Sequence, residues 1–578
     1  METKMWQQFL LIITFAILFL KSFCEPTNPI VKTPYGPIEG FNYNTVSGND
    51  VEIFLGIPFA SPPVEDLRFE KPQSPQNWTK TLRAKEFPKA CATYDKFMGH
   101  ANNEDCLYLN IYKPKNVSND INGFPIMFFV HGGGFIIGDT RLYGYKNISD
   151  NIVSQGIIVV VIQYRLGPFG FFSSNDSSIP ANLGLWDQLE ALKFTNKIIE
   201  SFNGDKSRIT IVGVSAGAGS VSLLGLSEHA YDLYSQILPM SGSSLSQWAT
   251  NSKVSTILSE KIVDQIGCDN KNSTELKECL KSKNVSEFHE ILKPIMQFNL
   301  REDINIVQFS PKMDKDFINS NTLEEAIAKA PKKPILIGVC NQEAILYSTA
   351  MPGFMLPSHY FNLPPERAVN YSHVDFEEFV RVILAKEKYF ENQIEEFTKE
   401  VIKFYLNQTD EKDPNFNFFF EQYTSLMSDL NFNVPALREA ILKAKNKNPT
   451  YFYVFDYNVD ISDITPKYAR GSSHGADIIN LFGGLYKEIK FDSNGRSVQQ
   501  KFVELIGNFI KNGKPSIGSI TVPSITQDNF KYLQINAKPT VKKGLWKNRL
   551  DFWNYIRGKY EYDLPSGIYH KSEINDKL

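Results

Sequence analysis

Short, wholly apolar runs separated by amphipathic stretches dominate the first half of the chain. Pro125-Ile126-Met127-Phe128-Phe129-Val130 ends in glycines, and Gly156 to Ile162 is rich in β-branched residues. Both read as strands buried on two faces, as in a mostly parallel sheet. Around and after Asp187, Leu185, Leu189, Leu192 and Ile199 fall near helical spacing, and Asn203-Gly204 is a helix stop signal. Arg208 to Val212 reads as the next strand, and Pro334 to Val339 and Tyr451 to Phe455 as two later ones. The pattern predicts an α/β fold, a large mostly parallel central sheet flanked by helices. The chain of 578 residues has no internal repeat, low-complexity tract or Pro/Gly/Ser linker. The length prior of about four domains therefore yields to one domain over residues 25–578.

The N-terminus reads differently. Lys4 precedes a 12-residue apolar stretch, Phe9 to Leu20, followed by Lys21, Ser22, Phe23 and Cys24. That length suits the apolar core of a secretory signal peptide and is too short for a membrane span. Residues 1–24 are expected to be removed, leaving a secreted, soluble chain. Asn-x-Ser/Thr sites at Asn77, Asn116, Asn147, Asn175, Asn272, Asn284, Asn370 and Asn407 fit export as a glycoprotein.

Composition narrows the class. Apolar residues make up 42% and charged residues 22%, ordinary globular usage. Lys plus Arg is 61 and Asp plus Glu is 64, a net charge of −3 with no block of one sign. A nucleic-acid binder would carry a basic surplus, so no nucleic-acid partner is expected. Downstream of residue 24 remain Cys91, Cys106, Cys268, Cys279 and Cys340, which an exported chain can oxidise. Spacing alone leaves the pairing open, with local pairs the simplest arrangement; closing Cys91 to Cys106 contributes about 3 kcal/mol in the chain-entropy account. Cys340 ends an apolar run and reads as a buried thiol. No Cys-x-x-Cys or His-Glu-x-x-His pattern suggests a metal site.

Two glycine motifs carry the chemistry. Gly213-Val214-Ser215-Ala216-Gly217 follows an apolar strand and precedes the small-residue stretch Ala216 to Leu226. The motif alone has a chance expectation of about 0.15, but in this context it is the strand–turn–helix elbow that exposes a serine oxygen. His131-Gly132-Gly133-Gly134 follows the strand ending at Val130 and is far rarer by chance, about 0.002. The N–H groups of Gly133, Gly134 and Ala216 are candidates for a three-donor oxyanion hole. A serine nucleophile needs a base and an orienting acid. Among eight histidines, His474 stands in the loop-like Gly471-Ser472-Ser473-His474-Gly475-Ala476-Asp477, beyond a strand end. The acid candidates are Glu343, past the Pro334–Val339 strand, with Asp456 and Asp477 as competitors.

Together these segments resemble the type-B carboxylesterase family, the cholinesterase-like branch of the α/β-hydrolases, over essentially the whole mature chain. Glu104-Asp105-Cys106-Leu107-Tyr108-Leu109-Asn110, Tyr164-Arg165-Leu166-Gly167 and Asn182-Leu183-Gly184-Leu185-Trp186-Asp187-Gln188 add to the likeness, which looks closest to insect secreted esterases. The resemblance implies an α/β-hydrolase fold and a Ser215–Glu343–His474 triad. It also implies disulfides Cys91–Cys106 and Cys268–Cys279, and buried ion pairs Arg68–Glu104 and Arg165–Asp187. Trp248 resembles a substrate-binding wall of the acyl pocket. Three positions depart from the family pattern: Val214 stands where most members carry glutamate, Ala344 where glycine is usual, and the Cys91–Cys106 loop lacks tryptophan.

The expected activity is hydrolysis of neutral, rather apolar carboxylic esters through an acyl-enzyme, with small-molecule ester substrates and neither metal nor organic cofactor. A narrower hormone, pheromone or lipid esterase is the alternative within the class. A non-catalytic adhesion protein of the neuroligin or glutactin kind is the alternative outside it.

Overall fold

The computed structural model describes residues 28–93, 102–174, 178–250, 253–269, 272–295, 303–350, 358–407, 415–458, 466–485, 487–526 and 529–569. The expected signal segment 1–24, the Asn-x-Ser/Thr site at Asn175 and residues 94–101 of the Cys91–Cys106 loop lie outside them.

Eleven strands form one sheet. In chain order they are β1 (Phe41–Asn44), β2 (Asp50–Pro58), β3 (Tyr108–Pro114), β4 (Phe124–Val130), β5 (Ile158–Ile162), β6 (Gly204–Val214), β7 (Gln236–Met240), β8 (Ile335–Cys340), β9 (Thr450–Phe455), β10 (Lys531–Ile535) and β11 (Thr540–Lys543). Their spatial order is β11-β10-β9-β8-β7-β6-β4-β5-β3-β2-β1. Strands β4 to β10 are mutually parallel. The outer strands β1, β2, β3 and β11 pair antiparallel. The five strands expected from apolar runs are β4, β5, β6, β8 and β9, all within the parallel part.

Side-chain alternation divides the core. Phe128, Val130, Val160 and Ile211 enter one apolar cluster, while Met127, Phe129, Val159, Val161 and Val212 enter another across the sheet. Successive strand residues point to opposite faces, so strands covered on both sides must be apolar throughout. Helices α1 (Leu183–Ile198) and α2 (Ala216–Leu224) cover the first face. Asn203, at φ 64°, ends the turn that follows α1, as the Asn-Gly pair predicted. A third cluster lies in a helical lobe between Ala344 and Val434. It contains α3 (Phe418–Ser428) and is closed by Trp553 and Ile556 of the later helix Lys547–Tyr560.

A π-turn, Asp429–Asn433, joins α3 to α4 (Val434–Lys445). Pro435 has no N–H to give the carbonyl of Asn431 four residues back. That oxygen accepts the indole N–H of Trp248 at 2.8 Å instead. The second face is covered by α5 (Ala476–Phe482) and α6 (Ser493–Asn512). Among the described residues no helix is long and apolar enough to cross a membrane.

Candidate active site

The chain leaves β4, forms β5 on one side, then returns across β4 to form β6. Connections after β4 and β6 thus diverge, and the carboxyl ends of two such neighbours are where an open α/β sheet places its binding crevice. Val130 pairs with Gly213 in register, so the His131 glycine run and the Ser215 elbow start at the same level.

Ser215 sits between β6 and α2 at φ 57° and ψ −123°. A non-glycine residue held there costs about 1–3 kcal/mol, which the surrounding packing must offset. The flanking glycines make the turn possible. A Cβ on Gly213 would lie 2.1 Å from the Gly217 carbonyl oxygen, and one on Gly217 would lie 2.2 Å from that of Val130. The Ser215 N–H donates to the Met240 carbonyl at 2.9 Å, anchoring the elbow to β7. Ala216 opens α2, where helix N–H groups have no acceptor within the helix.

The glycine run lies against the elbow. A Cβ on Gly132 would come 3.0 Å from that of Ser215. Gly133 has φ 114° and Gly134 φ 60°, backbone that favours glycine. A Cβ on Gly133 would also strike the Ile137 carbonyl at 2.1 Å. His131 shapes this turn: its Nδ1 is 2.8 Å from the Gly132 oxygen, its ring stacks on Tyr164 at 4.4 Å, and burial pushes it down to about 4. The ring is therefore neutral across the physiological range.

His474 and Glu343 meet although 131 residues separate them, with Nδ1 and Oε2 2.6 Å apart. Glu343 is 0% exposed and His474 6%. The other Glu343 oxygen accepts the Cys340 N–H at 2.7 Å, and the His474 N–H donates to the Glu343 carbonyl at 3.2 Å. The competing carboxylates pair elsewhere. Asp456 accepts from the side-chain amides of Asn341 and Gln534. Asp477 accepts the Tyr453 hydroxyl at 2.8 Å, and burial, reinforced by the Glu343 charge, pushes it up to about 6. Burial likewise raises the thiol of Cys340, which is free.

Several contributors carried no sequence signal. Phe432, in the π-turn, packs its ring 4.8 Å from that of His474, and Tyr347 stacks on Phe432 at 5.9 Å. Ser428 accepts the Ala344 N–H at 2.9 Å and so steadies the backbone after Glu343. Trp248 is 1% exposed; its ring lies 5.8 Å from Phe432 and 6.4 Å from Phe135, behind the elbow.

The supports also form. Cys91 is bonded to Cys106 and Cys268 to Cys279. Arg68 grips Glu104 through two bonds of 2.6 and 2.5 Å and donates to the Lys281 carbonyl at 2.8 Å, past the second disulfide. Arg165 pairs with the fully buried Asp187 at 2.8 and 2.7 Å. Removing one partner of such a pair would strand a buried charge.

The model of the Carboxylesterase family matches residues 27–553. The chain belongs to the carboxylesterase family. It is 36% identical over 560 residues to Gut esterase 1 of Caenorhabditis briggsae, covering 95% of this chain and 96% of that protein. A carboxylic ester hydrolase of Bombus ignitus is 30% identical, with 91% and 94% covered. Human cocaine esterase is 28% identical, with 92% and 91% covered. The esterase is accordingly a carboxylic ester hydrolase of the α/β-hydrolase fold.

Proposed function

We propose that this esterase is secreted and cleaves neutral, rather apolar esters by two-step acyl transfer. Ser215 attacks the ester carbonyl as His474 takes its proton. Glu343 holds the ring with Nδ1 protonated and stabilises the imidazolium. The N–H groups of Gly133, Gly134 and Ala216 receive the charge that develops on the carbonyl oxygen. His474 returns the proton to the departing alcohol, and water then releases the acid by the same steps reversed. The observation that carries this reading is the buried Glu343–His474 pair at 2.6 Å, on the loops that follow β8 and β9, two and three places along the sheet from the strand that ends at Ser215.

Apolar preference is supported by the walls. Val214 precedes the nucleophile, a Cβ on Gly134 would lie 3.5 Å from Val307, and Phe432 and Tyr347 flank His474. Trp248 backs the acyl side through Phe432. A quaternary ammonium group needs aromatic faces and gains from nearby anions, and Val214 supplies no carboxylate. Secretion is supported by the N-terminal apolar stretch, the two disulfides and the Asn-x-Ser/Thr sites.

The test uses naphthyl acetate and acetylthiocholine as matched acetyl esters. Ser215→Ala should abolish hydrolysis and organophosphate labelling. The wild type should have a much higher kcat/KM on naphthyl acetate. Near-normal turnover by Ser215→Ala would sink the mechanism, and equal efficiencies on the two esters would sink the specificity.

A further inference from the structure

The acid and histidine loops are tied together by polar groups that the acyl-transfer steps do not use. Asn341 is the first residue past β8, and its N–H donates to the Phe455 carbonyl of β9 at 3.0 Å. Asp456 is the first residue past β9, and its N–H donates to the Ile535 carbonyl of β10 at 2.8 Å. The Asn341 side-chain amide donates to one Asp456 oxygen, and Gln534 of β10 donates to the other. The Asn341 side-chain oxygen, Oδ1, accepts the N–H of Ser472 at 2.7 Å. Ser472 in turn donates its hydroxyl to the Tyr457 carbonyl at 2.7 Å, and its own carbonyl accepts the Gln342 N–H at 3.1 Å. Groups from three adjacent strand ends thus converge on the backbone two residues before His474, through a side chain two residues before Glu343.

The polarity of this chain of bonds has one consistent direction. A carboxylate only accepts, so Asp456 obliges Asn341 to turn its NH2 inward. The Asn341 oxygen is then left facing the Ser472 N–H. A neutral amide at position 456 would offer a donor as readily as an acceptor and would remove that constraint. We propose that Asp456 and Asn341 are positioning residues for ester hydrolysis: the carboxylate orients the Asn341 amide, which fixes the His474 loop against Glu343. This rests on the Ser215–Glu343–His474 reading.

The experiment measures kcat and KM for a nitrophenyl ester, per active site titrated with an organophosphate, from about pH 5 to 9. Asp456→Asn and Asn341→Ala should each lower kcat on the order of 10- to 100-fold, the scale of a misplaced catalytic group, with KM within about twofold. The acidic limb of kcat/KM should move to lower pH, because an imidazolium held less closely by a carboxylate loses its proton more easily. The double variant should fall no further than the worse single one, since both break one chain of bonds. Asp456→Glu, which keeps the acceptor, should recover part of the loss. An unchanged kcat with an unmoved limb would overturn the proposal, as would a loss confined to the titrated fraction of active molecules. If Asp456→Asn does not fold, Asn341→Ser read in the same assays decides. Ser215→Ala separates the two readings. An active Ser215→Ala would sink the triad, whereas an inert one beside a full-rate Asp456→Asn would sink only the clamp.

Discussion

Glu343→Gln keeps the shape of the acid and removes its charge, so its effect can be worked out from the contacts of Glu343. One carboxylate oxygen accepts the Cys340 N–H at 2.7 Å and the other meets His474 Nδ1 at 2.6 Å. Glutamine has one oxygen for these two donors. Leaving a buried N–H unmet costs about 1–3 kcal/mol, so the amide oxygen turns to Cys340 and its NH2 faces the ring. An Nδ1 that must accept places the ring proton on Nε2, which then has no lone pair for the serine proton. Turning the amide the other way restores the working tautomer at the cost of the Cys340 bond. In either orientation the imidazolium formed during attack loses its anion. Two unit charges 4 Å apart at an effective dielectric of about 20 attract by about 4 kcal/mol, roughly three decades of rate. With the tautomer penalty, kcat should fall by about 10³–10⁴ while KM changes little. Initial rates on a nitrophenyl ester measure this, and organophosphate capture by Ser215 should slow in parallel. A loss of less than about tenfold would mean that Glu343 does not orient the base.

A second expectation concerns pH and Asp477, whose carboxyl burial raises from 3.8 to about 6. Between those values the folded state binds a proton that the unfolded state releases, so this group favours folding at low pH and loses that contribution as pH rises through about 6. Asp477→Asn should therefore gain stability relative to wild type across that window and level off above it. Denaturant unfolding at stepped pH measures the difference, and a flat one refutes the assignment. A third concerns glycans: Asn77, Asn116, Asn272, Asn284, Asn370 and Asn407 are exposed, whereas Asn147 has its amide against Gly483 and Ser149 two residues on is fully buried. Peptide mapping of secreted protein should find glycans among the first six sites and none on Asn147; a glycan there would contradict the packing.

The parallel strands were legible because burial on both faces forces continuous apolar runs, as at Ile158–Ile162. The two glycine motifs were legible because close backbone approach admits no Cβ at Gly213, Gly217 or Gly133. The outer strands gave a weaker signal: Thr540–Lys543 is exposed at every position and so carries no apolar run. Pro435 cannot donate to the carbonyl four residues back, yet the π-turn before it lets one helical path continue from Phe418 to Lys445. The acid was ambiguous for a different reason. Glu343, Asp456 and Asp477 all lie near strand ends or the histidine loop, and only three-dimensional pairing separates the carboxylate facing His474 from one facing Asn341 and one facing Tyr453. Bonds spanning 131, 115 and 24 residues leave no periodicity in a chain. Apolar burial is written locally, in runs a few residues long, because each strand must satisfy it alone. Polar positioning is a property of neighbours, so an asparagine such as Asn341 acquires its task only when β8, β9 and β10 stand side by side.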